Sequence, residues 1–166
     1  NTPDNLTKEK SDAMTSISIP LKIDIANYLQ GIDIESKIAN SNKDEISDLR
    51  KANIGGIITT NWDMLLELIF PDYKTYIGQD ELILENPQWI AEIYKIHGCS
   101  SKPKSLVLTS DDYKTFNRKN KYLASKLTTM FMEHPVIFLG YSMSDPNIVS
   151  ILKSLSLCLN TKQISR

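Results

Sequence analysis

The eight residues Gly56-Ile57-Ile58-Thr59-Thr60-Asn61-Trp62-Asp63 hold the change of pattern on which the architecture turns. The first half is short, apolar and β-branched, which suits a buried strand, and Gly55-Gly56 closes off the helical stripe before it. The second half turns polar at once. Residues 63–70 then carry Leu65, Leu66 and Ile69 on one helical face, and Pro71 ends them. A buried strand that runs through a polar turn into an amphipathic helix is the first part of a strand–helix–strand unit.

The same alternation recurs downstream. Residues 73–77 and 90–96 read as strands, and 105–108 as another. Thr109 with Asp112 forms a capping box that opens a helix through Tyr113 and Phe116. Leu123, Leu127, Met130 and Phe131 recur at helical spacing. Pro135 precedes Val136-Ile137-Phe138-Leu139, read as an apolar strand that Gly140 ends. Asp145 and Pro146 suit the N-cap and first position of a last helix, with Ile148, Ile151, Leu152, Leu155 and Leu159 facing inward. Upstream, residues 1–11 read as a polar loop. Ile17 to Ile25 alternate like a strand, but Pro20 interrupts, and a helix over 21–30 is the reading adopted. Asn42 with Glu45 caps a helix carrying Ile46, Leu49 and Ala52. Alternating strands and helices predict an α/β fold with a mostly parallel sheet flanked by helices, built as a single domain over residues 1–166.

Composition narrows the function. Of 166 residues, 41% are hydrophobic and 23% charged, which suits one globular core. The longest apolar run, residues 136–139, falls far short of the roughly 20 residues of a membrane span, so no membrane partner is expected. Nineteen basic against 20 acidic residues give a net charge of −1, too little to drive phosphate-backbone binding, so no direct nucleic-acid partner is expected. Cys99 and Cys158 form no CxxC pair, which excludes a four-cysteine zinc site; no metal is expected.

In open α/β sheets, ligands bind at the carboxyl ends of strands. Three such ends carry polar or glycine residues: 59–63, His97-Gly98 and 140–145. Each has an ordinary explanation alone. Asn61 or Asp63 caps a helix, His97 is a hydrogen-bonded turn residue, and Gly140 to Asp145 is a strand-to-helix loop.

Their order changes the reading. Thr59-Thr60-Asn61-Trp62-Asp63, Lys95-Ile96-His97-Gly98, Thr109 with Asp112-Tyr113, and Phe138-Leu139-Gly140-Tyr141-Ser142 with Asp145 follow one another at successive element ends. This series resembles the sirtuin family, and within it the bacterial sirtuin-like branch of anti-phage defence proteins. That branch reads Thr-Thr-Asn-Tyr-Asp, Lys-x-His-Gly, Thr-x-x-Asp-Tyr and Phe-x-Gly-Tyr-Ser-x-x-Asp. The resemblance covers residues 54–155. It implies a Rossmann-like domain that takes NAD as substrate and cleaves its nicotinamide–ribose bond, inside a larger cytoplasmic defence protein that forms homo-oligomers. It implies Asn61 and His97 as catalytic residues, with His97 the base, and Thr60, Asp63, Gly140, Tyr141 and Ser142 as nucleotide contacts. Both catalytic side chains are expected at solvent-facing strand ends.

Three departures accompany the resemblance. Trp62 stands where the family has Ile or Tyr. The zinc cysteines of deacylating sirtuins are missing, which argues against that branch; a protein deacylase or ADP-ribosyltransferase stays as a third reading, ranked last. The glycines include no G-x-G phosphate loop, so the expectation is a fold lacking its first strand–helix unit. That absence keeps open a second reading, a catalytically silent module for nucleotide sensing or oligomerisation.

Overall fold

The apolar half of the quoted stretch forms β1 (Gly56–Thr59) in a computed structural model that describes residues 3–41, 43–85, 87–88 and 90–158. β2 (Lys74–Ile77) and β3 (Glu92–Lys95) complete a sheet of order β1-β3-β2 in which both pairings are parallel. β3 is central, so all four of its residues are buried. A continuous polar-free face is not required of such a strand, but every polar side chain on it must find a partner.

Helices fill the connections. α1 (Pro3–Gln30), α2 (Ile34–Ser41) and α3 (Lys43–Lys51) precede the sheet, α4 (Leu65–Ile69) links β1 to β2, and α5 (Gly78–Leu84) links β2 to β3. Ile46 and Leu49 of α3 and Leu65, Leu66 and Ile69 of α4 pack with Ile57 of β1 and Ile93 of β3 around Phe70. The stripes read from the sequence therefore face the core, except Ala52, which follows the end of α3 and is exposed. Tyr73 closes this core, its ring 4.8 Å from that of Phe70 and its hydroxyl donating to the Ile54 carbonyl at 2.5 Å.

The chain separates into two compact units, one ending at Asp111 and the other beginning at Asp112. The second holds most of α6 (Ser110–Lys119), with α7 (Lys121–Glu133) and α8 (Pro146–Cys158). Leu123, Leu127 and Met130 of α7 are buried, as are Ile148, Ile151 and Leu155 of α8. Asp145 caps α8, accepting the Asn147 and Ile148 amides at 2.9 and 3.1 Å. Leu159 and the capping residue expected at 42 lie outside the described residues.

Four local expectations are corrected. Helix α1 begins at Pro3, where a loop through residue 11 was expected; proline suits a first helical turn. The helix also runs through Pro20. Its buried stripe is Ser18, Lys22 and Ala26, spaced by four, while Ile17, Leu21 and Ile23 lie exposed. Burial on this helix thus follows the helical period and sets the alternating isoleucines aside. Residues 105–108 form no strand. Pro103–Ser105 is a 3-10 turn, since proline fixes the backbone and offers no ladder donor; Leu106 and Val107 are buried after it. Residues 136–139 form no strand either, and all four side chains are exposed. Apolar sequence alone does not make a strand; the ladder needs a neighbour, and none pairs with this run among the described residues.

Candidate functional site

The parallel register sets Thr59 opposite Lys95, and the Ile96 amide donates to the Thr59 carbonyl at 3.0 Å. Asn61 and His97 each follow two residues later, so they leave the sheet at one edge. The loops beyond are sewn together: the Ser100 amide donates to the Trp62 carbonyl at 2.7 Å. The Gln30 amide, at the end of α1, donates to the Ser100 carbonyl on the other side. Three segments distant in sequence are thereby fixed around the same strand ends.

Each loop has its own local cause. The Asn61 amide turns back to Thr59 Oγ1 at 3.0 Å, and Asp63 Oδ1 accepts the Leu65 amide at 2.9 Å, which starts α4. The capping role read for Asp63 is therefore realised, and one carboxylate oxygen is committed to backbone. After β3 the chain turns at Gly98, with φ +87. A Cβ there would lie 2.3 Å from the Ser105 carbonyl oxygen, so the turn demands glycine. Val107 then donates to the His97 carbonyl at 3.0 Å, and Ser105 Oγ accepts the Cys99 amide at 3.0 Å.

This wrapping corrects one expectation. Asn61 is exposed, and Thr60 and Asp63 are half-buried, but His97 is only 2% exposed. The turn at Gly98 folds residues 99–107 back over the end of β3, and that cover is not legible in a His-Gly pair. Thr60, Asn61, Asp63 and His97 share one sheet edge. Trp62 lies in the same loop with its indole N–H buried and without a hydrogen-bond partner among the described residues.

Gly140, Tyr141 and Ser142 belong to the second unit. Gly140 has φ +58 with nothing within 4 Å of its would-be Cβ. Tyr141 stacks on Phe138 with ring centroids 5.9 Å apart. Its hydroxyl is pushed up to about 12, first by burial and then by the nearby Asp145 and Tyr113. Ser142 Oγ lies 2.6 Å from Ser144 Oγ.

Lys95 belongs to the Lys-x-His-Gly motif, and the resemblance assigns it no role. Its side chain is 1% exposed; Nζ donates to the Asp63 carbonyl and to Glu67 Oε1, the latter at 2.9 Å. The available signal was a charged residue at the carboxyl end of a strand that the sequence reads as buried. Among the described residues no cluster of His, Cys, Asp and Glu could hold a metal ion, and no helix is long and apolar enough to cross a membrane.

A parallel α/β sheet with polar loops gathered at its carboxyl edge is the ligand-binding architecture of the open α/β proteins. The sequence profile of the SIR2-like domain family matches residues 55–163, and the chain belongs to that family. Among curated relatives, the NAD(+) hydrolase ThsA of Cytobacillus dafuensis is 32% identical over 103 residues, covering 58% of this chain and 20% of the relative. The protein of the same name from Enterococcus faecium is 30% identical over 111 residues, covering 63% and 23%. The defense-associated sirtuin 2 of Bacillus subtilis is 27% identical over 106 residues, covering 60% and 10%. The chain thus spans about a fifth of the length of the first two relatives and a tenth of the third.

Proposed function

We propose that this chain is part of an NAD-cleaving domain of a larger defence protein, with Asn61 and His97 as its catalytic pair. The observation that supports this most is the convergence of the Asn61 and His97 strand ends at one sheet edge, in a chain whose relatives are named NAD(+) hydrolases. In the reaction, water adds to the ribose carbon as the C–N bond to nicotinamide breaks, giving ADP-ribose, nicotinamide and a proton. Positive charge develops at the ribose carbon, as in glycoside hydrolysis. The Asn61 amide, both donor and acceptor, orients the water or a ribose hydroxyl. His97 takes the proton. Asp63 keeps one carboxylate oxygen to accept from the nicotinamide amide. Thr60 contacts the nucleotide, and Gly140, Tyr141 and Ser142 are carried over as nucleotide contacts on the resemblance of their motif alone. The protein acts in the cytoplasm as a homo-oligomer and needs no metal.

A second reading, a nucleotide-sensing or assembly module without turnover, draws on the burial of His97. Nicotinamide release by the protein at its full natural length separates the two. Turnover that falls about 10²–10⁴-fold in Asn61→Ala supports the hydrolase. Nucleotide binding without nicotinamide release supports the sensor.

A further inference from the structure

We infer that Lys95 is a positioning residue, whose buried ammonium locks the Asn61-bearing loop to the strand that leads into His97. Lys95 ends β3 two residues before His97, and its side chain is 1% exposed. Nζ reaches out of the sheet to two partners beyond β1. One is the carbonyl of Asp63, two residues after Asn61, and the other is Glu67 Oε1 on α4, at 2.9 Å. Directly after Lys95 the chain turns, the Gly98 amide donating to the Lys95 carbonyl at 3.2 Å, so the residue that holds the loop also opens the turn that carries His97.

The arrangement is a poor way to stabilise a fold. Bringing an ammonium and a carboxylate out of water costs several kcal/mol per ion, and apolar replacements of such pairs are commonly neutral or stabilising. Glu67 is also left with Oε2 buried and unpartnered among the described residues, so the pair is not fully satisfied. What it fixes is register. Backbone bonds align β1 with β3 only as far as Ile96, and the Ser100–Trp62 bond resumes beyond the site. Between those points the loop of residues 60–63 is tied to β3 by Lys95. An apolar side chain of equal length could fill the space but could not hold the Asp63 carbonyl. Misplacement of a catalytic group by about 1 Å is enough to cost about a hundredfold in rate.

This role rests on the hydrolase reading. Its test is steady-state nicotinamide release by the full-length protein, with Lys95→Met/Glu67→Met made together so that no charge is left buried alone. The pair should keep its melting temperature while kcat falls about 10–100-fold and KM for NAD stays within about threefold. Lys95→Arg, which keeps the charge and the donors, should recover part of kcat. A pair variant with wild-type kcat, or one whose loss lies wholly in KM, overturns the positioning role while leaving the hydrolase intact. Wild-type protein that releases no nicotinamide, or His97→Ala at full rate, overturns the hydrolase reading and this role with it.

Discussion

Both ends of β3 bury a charged residue, and they treat it differently. At the amino end Glu92 is enclosed: Tyr76 Oη donates to Oε1 at 3.2 Å, the Gln88 amide donates to the same oxygen at 2.9 Å, and Tyr94 Oη donates to Oε2. The Tyr76 and Tyr94 rings stack 5.5 Å apart beneath it. At the carboxyl end Lys95 reaches across to a neighbouring loop, its partner Glu67 keeps an oxygen unpartnered among the described residues, and Asn61 of that loop is exposed. One end satisfies its polar groups internally and serves the fold. The other spends backbone and buried charge on holding a loop with an exposed amide, which is the economy of a site.

The sharpest way to break this contrast is to remove the chemistry. Asn61→Ala and His97→Ala should each lower nicotinamide release about 10²–10⁴-fold, but thermal melts should separate them. Asn61 is exposed and its loss should leave the melting point unchanged, whereas buried His97 should cost about 1–3 kcal/mol. Equal melting shifts would mean that His97 is not enclosed as described.

Backbone comes next. Gly98→Ala places Cβ against the Ser105 carbonyl at positive φ and should cost about 1–3 kcal/mol from strain alone. Gly140→Ala, also at positive φ but with open space around it, should cost about 1–2 kcal/mol. Chemical denaturation should rank the first above the second.

At the closed end, Glu92→Gln should cost about 1–3 kcal/mol and leave turnover untouched, because it lies at the far end of the strand from Asn61 and His97. The pH dependence sharpens this. Burial, and then Glu92, raise the Tyr76 hydroxyl above its usual value of 10.0. A raised folded value means that the folded state holds the proton more tightly. That contribution is full below pH 10 and is lost as pH climbs through the folded value. Tyr76→Phe should therefore flatten part of the alkaline loss of stability. Tyr113 and Tyr141, raised likewise in the second unit, should contribute in the same direction.

The smallest effect is expected at Ile137, which is 84% exposed in the run that forms no strand. Ile137→Lys should change stability by no more than about 0.5 kcal/mol, while light scattering should show less self-association because an exposed apolar run is interrupted.

Much of this molecule is set by the chain alone. The β-branched run before Thr59, the stripe Leu65-Leu66-Ile69 with its Pro71 stop, and Asp145 before Pro146 act through sterics and hydrogen bonds within a few residues, and each appears where the sequence places it. The motif residues Thr60, Asn61, Asp63 and His97 were legible too, because a polar residue directly after an apolar strand sits at the strand's end. Only tertiary structure decided the rest. Residues 136–139 have a strand's composition and form none, since a ladder requires a partner that composition cannot name. His97 is buried because residues 99–107 fold back over it, and Lys95 acts on Asp63 and Glu67, some thirty residues earlier in the chain. Both depend on which segments meet in space, and hydrogen bonds between distant segments leave no period in the sequence to read.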